Sequence, residues 1–296
     1  MAKIAVMGAG AVGCYYGALL AEAGQEVVLI GRPALVEAVT QQGLILERAG
    51  GQSRSFPHAS ENPAAIAGAD LVLFCVKSPD TLAAGQAMAP HLSPQTMVLS
   101  LQNGISNAAQ LSAVLQQEVI PAVVYAAVEM AAAGHVRHKG RGELILGEGA
   151  QPAAEILSAA GIKVEISAKA DQALWAKFIV NCTVNAVSAL TQQPYGVIAQ
   201  EPEALALMRG VMEEALAVAQ AEGIVLESDF WPNIQAIIDG MPDQFSSMAQ
   251  DIAKGRRSEI EVLNGELVAR AKRLGLAAPR NSALSALIRL RQSALR

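Results

Sequence analysis

Along the first half of the chain, short β-branched and aliphatic runs alternate with alanine-rich stretches. Strands are predicted at 3–8 (KIAVMG), 26–31 (EVVLIG), 71–77 (LVLFCVK), 97–101 (MVLSL) and 119–128 (VIPAVVYAAV), with helices at about 11–23, 33–42, 79–89 and 105–116 between them. None of these strands alternates apolar with polar residues, which indicates a sheet covered on both faces. Strand–helix alternation of this kind predicts a doubly wound parallel sheet. Two further β-like runs, ELILGE at 143–148 and KVEIS at 163–167, are expected to close that domain. The apolar stretch 119–134 is shorter than a bilayer requires and carries Pro121 and Glu129, so it reads as a buried strand and turn.

After about residue 168 the apolar spacing becomes helical throughout. Helices are predicted at 171–190, 203–222, 229–239, 243–254 and 258–274, with a last one from about 281. Pro194, Pro202, Gly223, Pro232, Gly240, Pro242, Gly275 and Pro279 punctuate them. The pattern therefore predicts an α/β domain over 1–168 and an all-α domain over 169–296.

Composition narrows the function classes. With 52% hydrophobic and 17% charged residues, the 296-residue chain is core-rich and long enough for two domains. A net charge of −5 without basic runs argues against a nucleic-acid partner. Cys14, Cys75 and Cys182 are far apart and lack CxxC spacing, which suits free thiols in a reducing compartment. The opening MAKIAVMGAG runs straight into a folded motif, so no signal peptide is expected and a soluble, cytoplasmic protein is. His135 and His138 form an HxxH in an extended segment with no adjacent carboxylate, and no metal site is expected from them.

Gly8-Ala9-Gly10-Ala11-Val12-Gly13 is a GxGxxG between the first strand and the first helix. In that setting the glycines permit a tight turn and a close backbone approach to a pyrophosphate, which meets the free N–H groups of the helix N-terminus. The first domain thus reads as a Rossmann dinucleotide-binding domain. An NAD-binding chain usually carries Asp or Glu at the end of the second strand. Here Gly31-Arg32 stands there, and the first acid after it is Glu37. An arginine at that point pairs with a 2′-phosphate that a carboxylate would repel, so NADP(H) is the expected cofactor.

The predicted helix 171–190 is strongly apolar yet carries Lys177, Asn181 and Asn185 at i, i+4 and i+8, on one stripe. Polar groups set among Phe178, Ile179, Val180, Val184 and Val187 are costly to bury without a polar ligand. A partly desolvated lysine there would have a lowered pKa and could donate a proton at neutral pH. Further on, Gly255 is a natural helix stop, and Ser258 with Glu261 forms an S-x-x-E capping box for the next helix. Glu259 would then sit in the first helical turn, where the dipole favours the ionised carboxylate. Such a carboxylate could hold a substrate hydroxyl or orient the lysine. No histidine follows His138, so the helical domain offers no histidine acid or base.

Taken together, GAGAVG at 8–13, LQNG at 101–104, LWAKFIVNCTVNAVSAL at 174–190, SSMAQDIAKGRRSEIEVLNGELV at 246–268 and Pro279-Arg280-Asn281 resemble the ketopantoate reductase family, in order over nearly the whole chain. The resemblance implies a Rossmann domain followed by a helical domain like the C-terminal one of 6-phosphogluconate dehydrogenase, with the active site in the cleft between them. It implies NADPH-dependent reduction of 2-dehydropantoate (ketopantoate) on the route to pantothenate and coenzyme A. Lys177 would protonate the ketone oxygen, and Glu259 would bind substrate or cofactor hydroxyls and help position Lys177. Asn181, Asn185, Ser246 and Ser247 would grip the substrate, and Lys77 and Asn103 would line the nicotinamide side, Asn103 also toward the substrate. One departure stands out. Tyr195 occupies a position where some members place an asparagine toward the substrate. Two alternatives remain at this point, a reductase of another 2-oxo acid and a non-catalytic NADP(H) sensor. A homodimer is an open expectation for the apolar helical domain.

Overall fold

The computed structural model describes residues 1–294, which divide into two compact units, Met1–Ala170 and a second from Asp171 onward. In chain order the first contains β1 (Lys3–Met7), α1 (Ala11–Glu22), β2 (Glu26–Ile30), α2 (Pro33–Gln42), β3 (Leu44–Arg48), β4 (Gly51–Ser55) and β5 (His58–Ser60). It continues with β6 (Leu71–Phe74), α3 (Thr81–Met88), β7 (Met97–Ser100), α4 (Asn107–Leu115), β8 (Val119–Ala132), β9 (His135–Leu146), α5 (Gln151–Ala159) and β10 (Val164–Ile166).

Among the described residues one sheet of ten strands runs β4-β3-β9-β8-β7-β6-β1-β2-β5, with β10 beside β9. The segment from β8 through β7, β6, β1 and β2 to β5 is parallel, as the apolar runs predict. Side chains alternate across it with the strand period of two. Ile4, Val6, Val27, Leu29, Leu71, Leu73 and Leu99 face a core shared with α1, α2 and α5. Ala5, Met7, Val28, Ile30, Val72, Phe74 and Val98 face a second core shared with α3 and α4. Both faces are buried, so both phases of each strand must be apolar. This is why no polar alternation marks the sequence.

The sheet is nevertheless mixed rather than wholly parallel. β8 turns back antiparallel into β9, and β3 pairs antiparallel with β4. The run 143–148 is the end of β9, while β4, β5 and the first half of β9 are unheralded by apolar runs; β3, which does carry one at Leu44-Ile45-Leu46, and α5 are further elements beyond those predicted. Polar cross-strand partners support the first half of β9. Arg137 on β9 pairs with Glu47 on β3 at 2.7 Å and with Glu129 on β8 at 3.1 Å, and Lys139 reaches Glu129 at 2.9 Å.

The second unit is helical. Its elements are α6 (Ala170–Thr191), α7 (Tyr195–Ile198), α8 (Pro202–Ala221), α9 (Trp231–Gly240), α10 (Ser247–Ala253), α11 (Asn264–Arg273) and α12 (Pro279–Ser293). Among the described residues α6 alone is long and apolar enough to cross a membrane, and most of it is buried.

The continuous helix expected over 258–274 does not form. A single 3₁₀ turn, Ile260–Val262, precedes α11, and Leu263 between them has φ −111° and ψ −109°, outside the helical region. The capping box fails because its parts have other partners. Glu261 makes two 2.7 Å bonds to Arg289 on α12, and the Ser258 N–H donates to the Gln292 side chain at 2.9 Å. The Arg289 guanidinium holds the Glu261 carboxyl below the usual carboxylate range. Glu259 therefore stands before a 3₁₀ turn and not in the first turn of an α-helix. Likewise α10 begins at Ser247 and not at 243, since Ser246 caps it by accepting from the Ala249 N–H at 3.0 Å.

Candidate active site

In the first unit the residues singled out by sequence lie at the carboxyl ends of neighbouring parallel strands. The Gly8–Gly13 loop follows β1, Arg32 follows β2, Lys77 follows β6 and Asn103 follows β7. Open α/β sheets bind their ligands at this edge.

Three glycines in the loop have three different surroundings. Gly8 has φ +97°, and a Cβ there would lie 2.6 Å from the Val76 nitrogen, so the loop is packed against the exit of β6. A Cβ on Gly13 would meet the Gly8 carbonyl at 2.6 Å and Val6 at 2.7 Å, so this glycine sets how closely α1 approaches β1. Gly10 differs from both: nothing lies within 4 Å of a Cβ there. The peptide N–H groups of Gly8 and Ala9 donate to the Ile30 carbonyl at 3.1 and 2.9 Å, tying the loop to the end of β2. The helical ladder begins with the Cys14 N–H donating to the Gly10 carbonyl at 2.8 Å. Ala11, Val12 and Gly13 thus contribute the first-turn N–H groups that a helix leaves for an anion. The open side at Gly10 and the N–H groups beside it fit the diphosphate of a dinucleotide.

Arg32 is exposed at the N-cap of α2, and that helix has no acid in its first turn. The end of β2 therefore presents a cation where an NAD site presents a carboxylate. Lys77 is exposed and Asn103 half-buried.

In the second unit α6 carries the candidate stripe. Lys177 and Asn181 are half-buried and Asn185 is buried, on a helix whose Phe178, Ile179, Cys182 and Val184 are buried. Ser246 reaches this helix, its hydroxyl donating to the Asn185 carbonyl at 3.1 Å and its N–H donating to the Ser188 hydroxyl at 3.2 Å. With the Ala249 N–H also bonded to it, the Ser246 hydroxyl holds α10 against α6. Ser247 beside it is exposed. Glu259 is buried, between Ser258 and Ile260, which are also buried.

A buried chain of amides secures the same stretch of α6. Asn264, at the start of α11, donates to the Cys182 carbonyl at 2.8 Å and to the Asn281 side-chain oxygen at 2.9 Å. Asn281 donates in turn to Glu214 on α8 at 2.8 Å, and Glu214 accepts the Arg280 and Asn281 N–H groups, both at 3.0 Å. The Pro279-Arg280-Asn281 motif is thereby explained: it starts α12 with Glu214 as a cap from another helix.

The other features lie apart from these groups. His135 and His138 have separate partners, His135 facing Glu47 at 2.9 Å and His138 stacked on Tyr15 with ring centroids 4.8 Å apart. Among the described residues no cluster of three or more His, Cys, Asp or Glu could hold a metal. The three cysteines are free thiols, and burial pushes the Cys14 thiol up to about 12.

Two family models match the chain. Residues 4–151 match that of ketopantoate reductase PanE/ApbA, and residues 169–292 match that of its C-terminal part. The chain belongs to the ketopantoate reductase family. It is 33% identical to a 2-dehydropantoate 2-reductase of Halobacterium salinarum, over 98% of this chain and 99% of that one. The crystal structure of a PanE/ApbA family ketopantoate reductase from Ralstonia eutropha JMP134 superposes with a TM-score of 0.96, at 52% identity over 99% of both chains. A D-mandelate dehydrogenase solved with NADH and anilino(oxo)acetate has a TM-score of 0.91 at 24% identity over 99% of both chains, which shows the shared fold.

As a member of the ketopantoate reductase family the chain is an oxidoreductase, and NADPH is the reductant of that family. Tyr195, where the resemblance places an asparagine in some members, opens α7 after Pro194 and is buried, and burial pushes its phenol up to about 12, so it stays protonated at neutral pH. Sequence reasoning missed Gln102, Thr81 and Asn107 in the first unit and Glu214 and Asn264 in the second. Gln102 stands inside the LQNG motif, and a buried-side glutamine directly after an apolar strand was the available signal.

The glycine contrast gives a direct prediction. Gly10 has φ −86° and ψ −162°, which alanine adopts readily, so Gly10→Ala should fold with a near-normal thermal midpoint. Its methyl group would nonetheless stand where the diphosphate approaches, weakening NADPH by at least roughly tenfold in fluorescence titration. Unchanged NADPH affinity would show that no ligand comes near Gly10.

Proposed function

We propose that the chain reduces 2-dehydropantoate to pantoate with NADPH, the reductive step leading to pantothenate and coenzyme A. The observation that carries this reading is the stripe of Lys177, Asn181 and Asn185 on the otherwise apolar α6, in a chain that matches 2-dehydropantoate 2-reductases over almost its full length. The reading assigns the α/β part, 1–168, to the cofactor and the helical part, 169–296, to the substrate and its proton.

The first-turn N–H groups of α1 and the open face of Gly10 would hold the diphosphate, and Arg32 would pair with the 2′-phosphate. Bound NADPH supplies a hydride to the ketone carbon. The Lys177 ammonium donates a proton to the ketone oxygen, neutralising the alkoxide as it forms. Asn181 and Asn185, with their amide N–H groups and carbonyls on the same stripe, orient the substrate's polar groups. Glu259 holds a hydroxyl and steers Lys177. Ser247, exposed at the first turn of α10, is suited to the substrate carboxylate, and Ser246 contributes by fixing that turn to α6. Lys77 and Asn103 line the nicotinamide.

The partner on this account is a small 2-oxo acid, neither nucleic acid nor membrane, and the reading places the chain in the cytoplasm. A homodimer is the assembly to test first, by light scattering. Tyr195 supports one second reading, a 2-oxo acid with a side chain other than the pantoyl group, since a buried phenol is larger and less polar than the asparagine it replaces. Steady-state NADPH oxidation with ketopantoate, pyruvate and 2-oxoisovalerate separates the two. A kcat/KM at least roughly tenfold higher for ketopantoate, about 1.4 kcal/mol of transition-state discrimination, supports the first reading. A preference of that size for another oxo acid would overturn it.

A further inference from the structure

The exits of β6 and β7 are joined by a buried polar network that neither the glycine motif nor the α6 stripe explains. Gln102, immediately after Leu101, donates through its amide nitrogen to the Val76 carbonyl at 3.1 Å and to the Thr81 hydroxyl at 2.7 Å. Its amide oxygen accepts from the Ser100 hydroxyl at 3.0 Å. Asn107, at the start of α4, donates to the Ser78 hydroxyl at 3.1 Å and to the Asn103 carbonyl at 2.5 Å. Its oxygen meets the Thr81 hydroxyl at 3.5 Å. Thr81 is 1% exposed, Asn107 3%, Ser78 6% and Gln102 7%.

These bonds have a common geometry. One loop runs from Val76 through Lys77 and Ser78 to Thr81, the other from Leu101 through Asn103 to Asn107. Every bond in the network either crosses between the two loops or braces a residue that does. The first loop is also the one packed on the glycine turn, since Val76 is the residue a Cβ at Gly8 would strike. So the network fixes the positions of Lys77 and Asn103 relative to each other and to the turn after β1. A buried network in which each amide is satisfied is stiff, because any displacement strands a donor away from water.

We propose that Gln102, Thr81 and Asn107 are positioning residues that hold the two loops as one rigid wall against the nicotinamide ring, so that the ring is immobilised when the cofactor binds. This rests on the NADPH reading for the first unit, and on Lys77 and Asn103 lying on the nicotinamide side. Thr81 is the hinge of the network, since its hydroxyl accepts from Gln102 and donates to Asn107. Thr81→Val keeps the shape of the side chain and removes both bonds.

The test uses the full chain with NADPH and two readouts. Time-resolved fluorescence anisotropy of bound NADPH reports local rotation of the nicotinamide without any substrate, and kcat with ketopantoate reports turnover. Thr81→Val and Gln102→Ala should each add a fast depolarising component to bound NADPH. Each should also lower kcat by roughly tenfold, with NADPH affinity much less affected, because small misplacements of a reacting group are costly. Thr81→Ser, which restores the hydroxyl, should return both readings toward wild type. Circular dichroism of each variant, matched to wild type, separates this effect from unfolding. If bound nicotinamide is as immobile in folded Thr81→Val and Gln102→Ala as in wild type, the proposal is overturned. Because the anisotropy needs no substrate, it stands even where ketopantoate proves to be the wrong oxo acid. Failure of wild type to bind NADPH would overturn the cofactor reading itself, and the proposal with it.

Discussion

Lys177→Ala is expected to lower kcat for ketopantoate reduction by roughly 10²–10⁴-fold, the usual contribution of a positioned general acid. Lys177 is half-buried on the stripe it shares with Asn181 and Asn185, and no histidine lies in the helical part of the chain to take over the proton. Affinity for NADPH should change little, because the groups proposed to hold the cofactor lie on the first unit. Lys177→Arg is the informative companion. It keeps the positive charge but has a guanidinium that does not give up its proton at working pH. If Lys177 acts only as a charge, Lys177→Arg should recover most of the activity; if it is the proton donor, both variants should be slow. Near-normal turnover of Lys177→Ala across neutral pH would remove it from the chemistry.

Arg32→Ala should raise the dissociation constant of NADPH by roughly 10–100-fold, the value of a hydrogen bond to a charged group, and leave NADH nearly unaffected. The end of β2 has no carboxylate to hold a ribose hydroxyl, and the first turn of α2 has no acid. Nothing in that loop therefore favours NADH once the arginine is gone. Arg32 is exposed, so the discrimination should shrink as salt rises. Titration of both nucleotides at low and high ionic strength measures it. Equal losses for NADPH and NADH would place the 2′-phosphate elsewhere.

Much of this arrangement was legible in the residues. The glycine turn, the parallel strands after it and the apolar α6 all announce themselves locally, because each depends on spacing within a short window. β1 and β2 needed only their own apolar runs, and α2 needed only Pro33 to start and Gly43 to stop. What escaped is held by partners distant in sequence. The first half of β9 is HVRHKGRG, a polar string that becomes a strand because Glu47 and Glu129 lie across from its cations. The capping box of Ser258 and Glu261 looked complete in four residues, yet Arg289, 28 positions later, takes the Glu261 carboxylate. No local rule weighs a bidentate arginine from another helix against an N-cap. The candidate site residues divide the same way. Lys177, Asn181 and Asn185 stand out as polar groups on an apolar helix. Thr81 and Asn107 look ordinary in sequence and matter only because the fold brings their loops together.

In the proposed reaction this chain moves a hydride from NADPH to the ketone carbon of ketopantoate. Incubating it with NADPH deuterated in turn on each face of the nicotinamide C4, and weighing the pantoate formed, tests that directly. Pantoate one mass unit heavier is expected from one of the two labelled cofactors and unlabelled pantoate from the other. No pantoate, or pantoate without label from either cofactor, would contradict it.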